Sequence, residues 1–234
     1  MRLTFKLLAL LGLALAGSAR AEEPVLPALD YVYNATWGGI DVGQVEVTLK
    51  PEGAANCYRY TNAMHPTPVA KMFYSVPDQT SLFCIKNGQV RTSRFESNLP
   101  GDSKQTYHLD FDWDKHTVDD GAGQVREMPD DAVDSFDLEI AVKLWTMQHA
   151  GDTSPPVAGF SMFDHKNITH YQLKIAGKQK VEVPAGSFDT VQLQRIDNPD
   201  KVFTFWLAPE RGYMAVKSQT RVGKRPMIEL QLAK

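Results

Sequence analysis

The sequence is short of cysteine, shows no excess of basic charge and has a single long apolar run among its 234 residues. Two cysteines exclude a disulfide-dense mini-domain, and with no C-x-x-C pair there is no thiol–disulfide exchange motif. Lys and Arg number 25 against 28 Asp and Glu, a net charge of −3, so nothing favours a nucleic-acid partner. Beyond the N-terminus no run approaches the roughly 18 apolar residues of a bilayer span, which excludes a multi-pass helical membrane protein. H-E-x-x-H, P-loop and G-x-G-x-x-G patterns are absent. Ser161 in GFSMF lacks the second glycine of a nucleophile elbow. The expectation is therefore a protein that is not an enzyme, with no catalytic residue, metal or cofactor. Hydrophobic residues at 43% and charged residues at 23% are an ordinary globular mixture, which excludes wholesale disorder.

What is present begins at the N-terminus. Arg2 and Lys6 precede LLALLGLALA, and GSARA then places Ala19 and Ala21 at the small positions of an A-x-A site. This is the layout of a secretory signal peptide over residues 1–21, cleaved after Ala21. The alternative is an uncleaved anchor. The expected mature chain starts at Glu22, carries no transmembrane segment and is more acidic than the whole. With no other sorting signal, the expected location is a bacterial periplasm. Cys57 and Cys84 sit in strand-like runs, and an even count in an exported chain favours a disulfide over two separate thiols. Closing that loop of about 27 residues would stabilise by about 3 kcal/mol in the chain-entropy model.

Residues 22–30 read as an extended leader with two prolines, and 31–234 as a single β-rich domain. YVYNATW and VGQVEVTL are strand-like and separated by the glycines of WGGIDVG, with a bulge expected near Gly43. Gln79–Ile85 and Val90–Asn98 flank KNG, a hairpin signal. Tyr107, Leu109, Phe111 and Trp113 alternate with His108, Asp110, Asp112 and Asp114, as on a half-buried strand. HTVDD and QVREM read as two short strands. A short helix fits VAKMFY. DSFDLEIAVKLWTMQHAG has helical spacing at Phe136, Ile140, Leu144 and Met147, which predicts a helix of about four turns. Asp134 or Ser135 would cap its start and Gly151 its end. After SPPVAG the strands resume as GFSMFD, ITHYQLKIA, KVEVP, SFDTVQLQRI, VFTFWLA, YMAVKSQTRV and PMIELQLA, read as consecutive and antiparallel.

The titratable residues offer little. His108, Asp110, Asp112, Asp114 and His116 would share one strand face, but alternate residues lie about 6.5–7 Å apart in a row and do not converge on an ion. Against a calcium loop, Lys115 stands where Gly is needed and Gly121 where the bidentate Glu belongs. In a single strand His165 and His170 would point to opposite faces. The aromatics carry more. They suit the core of a large curved sheet, and some suit the lining of an apolar cavity between sheet and helix. The expected ligand-binding residues are Trp37, Phe111, Trp113, Leu144, Trp145 and Trp206.

Three stretches resemble a family of exported bacterial proteins, domain of unknown function 3108. They are YNATWGGIDVGQVEVTL, MPDDAVDSFDLEIAVKLW, and VEVPAGSFDTVQLQRI with FWLAPERGYMAVKSQTRV. The DLEIA segment departs from the basic residues that family members often carry there. The resemblance implies no catalytic residues. It implies a mainly β fold, a large curved antiparallel sheet or open β-barrel packed on one main α-helix, lipoprotein-carrier-like by analogy. The leading functional expectation is a periplasmic protein that binds or carries a lipid or other apolar ligand, with an envelope protein as a further partner. The alternatives are an envelope scaffold, favoured by a filled interior, or a hydrolase of an envelope polymer using His108, Asp110, Asp112, His165 and His170.

Overall fold

The computed structural model describes residues 25–72 and 75–234. The signal-peptide reading, Phe73 and Tyr74 therefore lie outside the described residues. The chain forms β1 (Leu29–Trp37), β2 (Ile40–Pro51), β3 (Cys57–Pro66), α1 (Pro68–Lys71), β4 (Asp78–Lys86), β5 (Gln89–Asn98), β6 (Tyr107–Asp112), β7 (Thr117–Asp119) and β8 (Val125–Glu127). After β9 (Ala132–Asp134) and α2 (Leu138–His149) come β10 (Ala158–Phe163), β11 (Ile168–Val183), β12 (Gly186–Arg195), β13 (Lys201–Ala208), β14 (Met214–Val222) and β15 (Ile228–Leu232).

All 15 strands make one sheet in the order β8 to β1, then β15 to β9. Two meanders thus meet at the β1–β15 pair, where Tyr33 opposes Leu232. The sheet curls without closing. Its two ends approach through side chains instead of a strand ladder. Phe111 on β6 meets Phe163 on β10 edge to face, and Arg126 on β8 donates to the Asp164 and Asn167 carbonyls. The architecture is the mainly β, open barrel-like sheet with one main helix that the sequence implies.

Local sequence explains most of the strands. Leu109 and Phe111 are buried between polar neighbours, as the alternation requires. Asn87 and Gly88 both take positive φ (53° and 72°), a turn whose twist suits the β4–β5 hairpin. The β1–β2 register skips Val42, so a bulge sits beside Gly43. At Gly43, with φ 132°, a Cβ would lie 2.2 Å from the His65 carbonyl oxygen, so the close approach of β3 there needs glycine. Cys57 and Cys84 oppose each other across β3–β4 and form a disulfide.

Several expectations are corrected. The main helix spans 12 residues, about three turns, and ends at Ala150 in right-handed conformation, so Gly151 is no left-handed cap. It starts late because the Asp134 carboxylate accepts the Phe136 and Asp137 N–H groups in a turn ahead of it. Met147 is 43% exposed and lies off the packed face. ITHYQLKIA and KVEVP are one 16-residue strand with a register shift between Ile175 and Gly177. The short helix is confined to Pro68–Lys71. Strand β9 is too short to show a pattern, and it pairs parallel to β10, with α2 as the crossover. β1 begins at Leu29, and the Leu26 N–H donates to the Tyr58 hydroxyl, which ties down the end of the leader.

Candidate functional site

The concave face of the sheet has two unlike regions. One is filled by α2. The Tyr60 ring stacks on Phe136, just ahead of the helix, at 3.9 Å between centroids. From there the helix runs toward the β4–β5 turn, where Gln148 lies against Gly88. Leu138, Ile140, Ala141, Val142 and Leu144 are buried in the main core with Leu49, Phe83, Leu193 and Leu207. Beside the helix lies a crevice of about 140 Å³, lined by Val90, Ala132, Leu144, Trp145 and Phe160 among others. Ligand pockets run from about 300 Å³ upward, so this crevice is too small for a lipid chain.

This filled region holds buried polar groups that sequence reasoning missed. Ser81 Oγ lies 2.5 Å from Asp134 Oδ2 and 2.7 Å from Asp137 Oδ2, while Thr92 donates to Asp137 Oδ2 at 2.9 Å. All four side chains are buried. A hydroxyl carries one proton and cannot donate to both acids. Burial pushes both carboxyls up, Asp137 well above the usual range with the Asp134 charge adding to it. Asp137 Oδ1 has no hydrogen-bond partner among the described residues. One turn on, Glu139 accepts from the Tyr60 hydroxyl at 3.2 Å, and burial pushes it up to about 7. Burial also takes Lys143 down to about 8. The available signal was two acids three residues apart, at the start of an apolar helix. Acids there are normally read as caps.

The other region lies at the Trp37 end of β1, which α2 does not reach. Register fixes which side chains face inward there. Tyr33, in the main core, opposes Val45 and Leu232; Val45 opposes Met64; Ala35 opposes Leu230; Trp37 opposes Ile228. Directly opposed and alternate residues share a face, so all of these project from the concave surface. Of these, Ala35, Trp37, Val45, Met64, Ile228 and Leu230, with Thr36, Val42 and Val76, line an open groove of about 340 Å³. Thr36 is the one polar residue among its nine lining residues. α1 borders it, since Ala70 packs with Ala35 and Val42. Thr67 caps α1 by accepting the Ala70 N–H, which fixes the helix at the groove edge.

The six residues expected to bind a ligand are not gathered in one place. Trp37 lines the groove and is 44% exposed. Leu144 and Trp145 share the small crevice. Phe111 is buried in a satellite core with Phe95, Leu109 and Phe163, and Trp113 packs against that cluster, its indole N–H donating to the Thr92 carbonyl. Trp206 is buried, with its indole nitrogen unpartnered among the described residues. The hydrolase candidates are also dispersed. Asp110 pairs with Arg94, Asp112 with Lys115, and His165 stacks on Tyr107. His170 meets the buried Ser161 across β10–β11, at 2.9 Å. Among the described residues no group of three His, Cys, Asp or Glu side chains is placed to hold a metal ion. No helix among them is long and apolar enough to cross a membrane.

Comparison with known proteins agrees with the fold. The family model DUF3108, a protein of unknown function, matches residues 32–230, and the chain belongs to this family. The structure is similar to a β-barrel-like protein of another domain of unknown function, DUF1849, from Brucella abortus. That likeness has a TM-score of 0.53 at 12% identity and covers 89% of this chain and 97% of the other. A weaker likeness to MucB has a TM-score of 0.35 at 11% identity, covering 88% of this chain and 52% of that one. Among curated proteins none matches this sequence.

Proposed function

We propose that this is a non-catalytic binding protein of the cell envelope whose ligand is the hydrocarbon chain of an amphiphile, held in the groove at the Trp37 end of the barrel. The observation that carries this reading is the groove itself. Its 340 Å³ falls in the range of small-molecule sites, and its lining is apolar apart from Thr36. An apolar surface open to water is a standing cost that a hydrocarbon chain relieves at about 0.8 kcal/mol per buried CH₂. The signal-peptide pattern and the Cys57–Cys84 disulfide support a location outside the cytoplasm. The filled interior beside α2 supports placing the ligand at the mouth and not between sheet and helix.

Dansyl-undecanoic acid, a fluorescent fatty acid, tests the site by fluorescence enhancement on titration. Saturable binding is expected for the native protein. Ala35→Phe, which puts a ring into the groove floor, is expected to weaken binding at least tenfold while the circular dichroism spectrum is kept. Trp145→Ala, at the crevice, is expected to leave binding unchanged. Loss of binding in the Trp145 variant alone would move the ligand to the helix side and overturn the reading.

A further inference from the structure

We infer that the mouth of the barrel docks on an anionic lipid bilayer, so that the groove opens toward the membrane that supplies its ligand. The inference rests on the hydrocarbon reading above and adds the source of the chain.

Three elements frame the mouth. The β1–β2 turn carries Trp37 and Ile40, the latter 70% exposed. The β14–β15 turn lies against it, with the Gly38 N–H donating to the Met227 carbonyl at 2.7 Å. That turn reads VGKRPMI, with Val222 and Ile228 exposed on either side of exposed Lys224 and Arg225. On the third side, α1 presents exposed Val69, Lys71 and then Met72. Exposed apolar tips thus alternate with cations around one opening. Lys71, Lys224 and Arg225 make no ion pair with a described residue.

The acidic groups nearby are engaged or few. Asp41 accepts the Gly43 N–H, and Glu229 is held by Lys217, Gln219 and Gln231. Asp200 adjoins the β14–β15 turn through its carbonyl, which accepts the Gly223 N–H. The chain as a whole is acidic, but charges beyond about 8 Å are screened at physiological ionic strength, so the rim acts on what touches it. Apolar side chains that enter the headgroup layer beside cations that pair with phosphates are the pattern of an interfacial binder. The fit is to headgroups of net negative charge.

Sedimentation with vesicles tests this. The protein is expected to bind equimolar phosphatidylglycerol–phosphatidylcholine vesicles at least ten times better than phosphatidylcholine alone. Each cation near such a surface contributes roughly fivefold, so K224E/R225E is expected to weaken binding by about 25-fold or more. I40S/I228S is expected to lose binding as well. K178E/K180E, on the hairpin at the opposite end, is expected to leave it unchanged. Equal binding to the two vesicles, or an unaffected K224E/R225E variant, overturns the inference. Dansyl-undecanoic acid in vesicle-free buffer separates the two readings. Probe binding without vesicle binding refutes docking and keeps the groove, while vesicle binding without probe binding refutes the groove.

Discussion

The two regions of one concave surface differ in what the chain has placed on them. Around α2 the face is largely filled by side chains, and it tolerates buried acids because each finds a hydroxyl or backbone donor. At the Trp37 end the same strands carry their inward apolar residues to the edge, where α2 does not reach and the short α1 packs only along the border through Ala70. The buried apolar side chains are concentrated in the first region, and the second leaves apolar side chains exposed. Buried polar pairs also fix where α2 sits, since a shift of one residue would orphan Asp134 or Asp137 in a low-dielectric interior. The groove lining carries no such buried polar pair, and Thr36 is its one polar residue.

Truncation at each end of this surface gives the largest contrast. Ile140→Ala, at a fully buried site on α2, is expected to cost about 2–5 kcal/mol in denaturant unfolding. Met64→Ser, at the groove, is expected to cost roughly 1 kcal/mol or less, because Met64 is only half-buried. Comparable costs at the two positions would mean that the mouth is a packed core, and the contrast would fail.

A second expectation concerns pH. Burial raises the Asp137 carboxyl above its unfolded value near 3.9, so its contribution is complete below that value and is lost as pH rises through the folded one. Glu139, pushed up to about 7, acts with the same sign from about pH 4.5 to 7. Lys143, brought down to about 8, acts with the opposite sign and only above that pH. The melting temperature is thus expected to fall between mildly acidic and neutral pH. Asp137→Asn is expected to flatten that fall. An identical profile in the variant would show that the acid pair is not buried as described.

A third expectation sharpens the comparison from the ligand side. Adding dansyl-undecanoic acid at about 100 times its dissociation constant is expected to raise stability by about 2.7 kcal/mol in the native protein, and by much less in Ala35→Phe. The readout is the difference between the two variants' melting shifts.

Most of the sheet was legible in the sequence because antiparallel strands with one wet face write their burial as alternation. Tyr107–Trp113 and the Asn87–Gly88 turn are the clear cases. Strand β9 was not, since three residues cannot show a period, and its parallel partner lies 29 positions on, where Ala132 opposes Ser161. The helix was found but overextended, because Asp134 read as a cap of the helix itself, whereas it accepts the Phe136 and Asp137 N–H groups in a turn ahead of it and the helix begins at Leu138. The groove was hidden for another reason. Ala35, Val45, Met64 and Leu230 look like ordinary strand residues one at a time, and only cross-strand register shows that they share an uncovered patch. Trp37 was singled out from sequence and does line it, whereas Phe111 and Trp206 were drawn in by their size and are buried core.

The seam between β1 and β15 sets the order in which the molecule can be completed. Each meander is built from near neighbours in the chain, and its hairpins need no distant partner. The Tyr33–Leu232 pairing, by contrast, waits until β15 has been made. Until then β1 and β14 each keep an unpaired edge, and the groove lacks Ile228 and Leu230. The groove is therefore complete only once β15 has paired, and a chain cut short before β15 exposes two strand edges and lacks two of the nine groove residues.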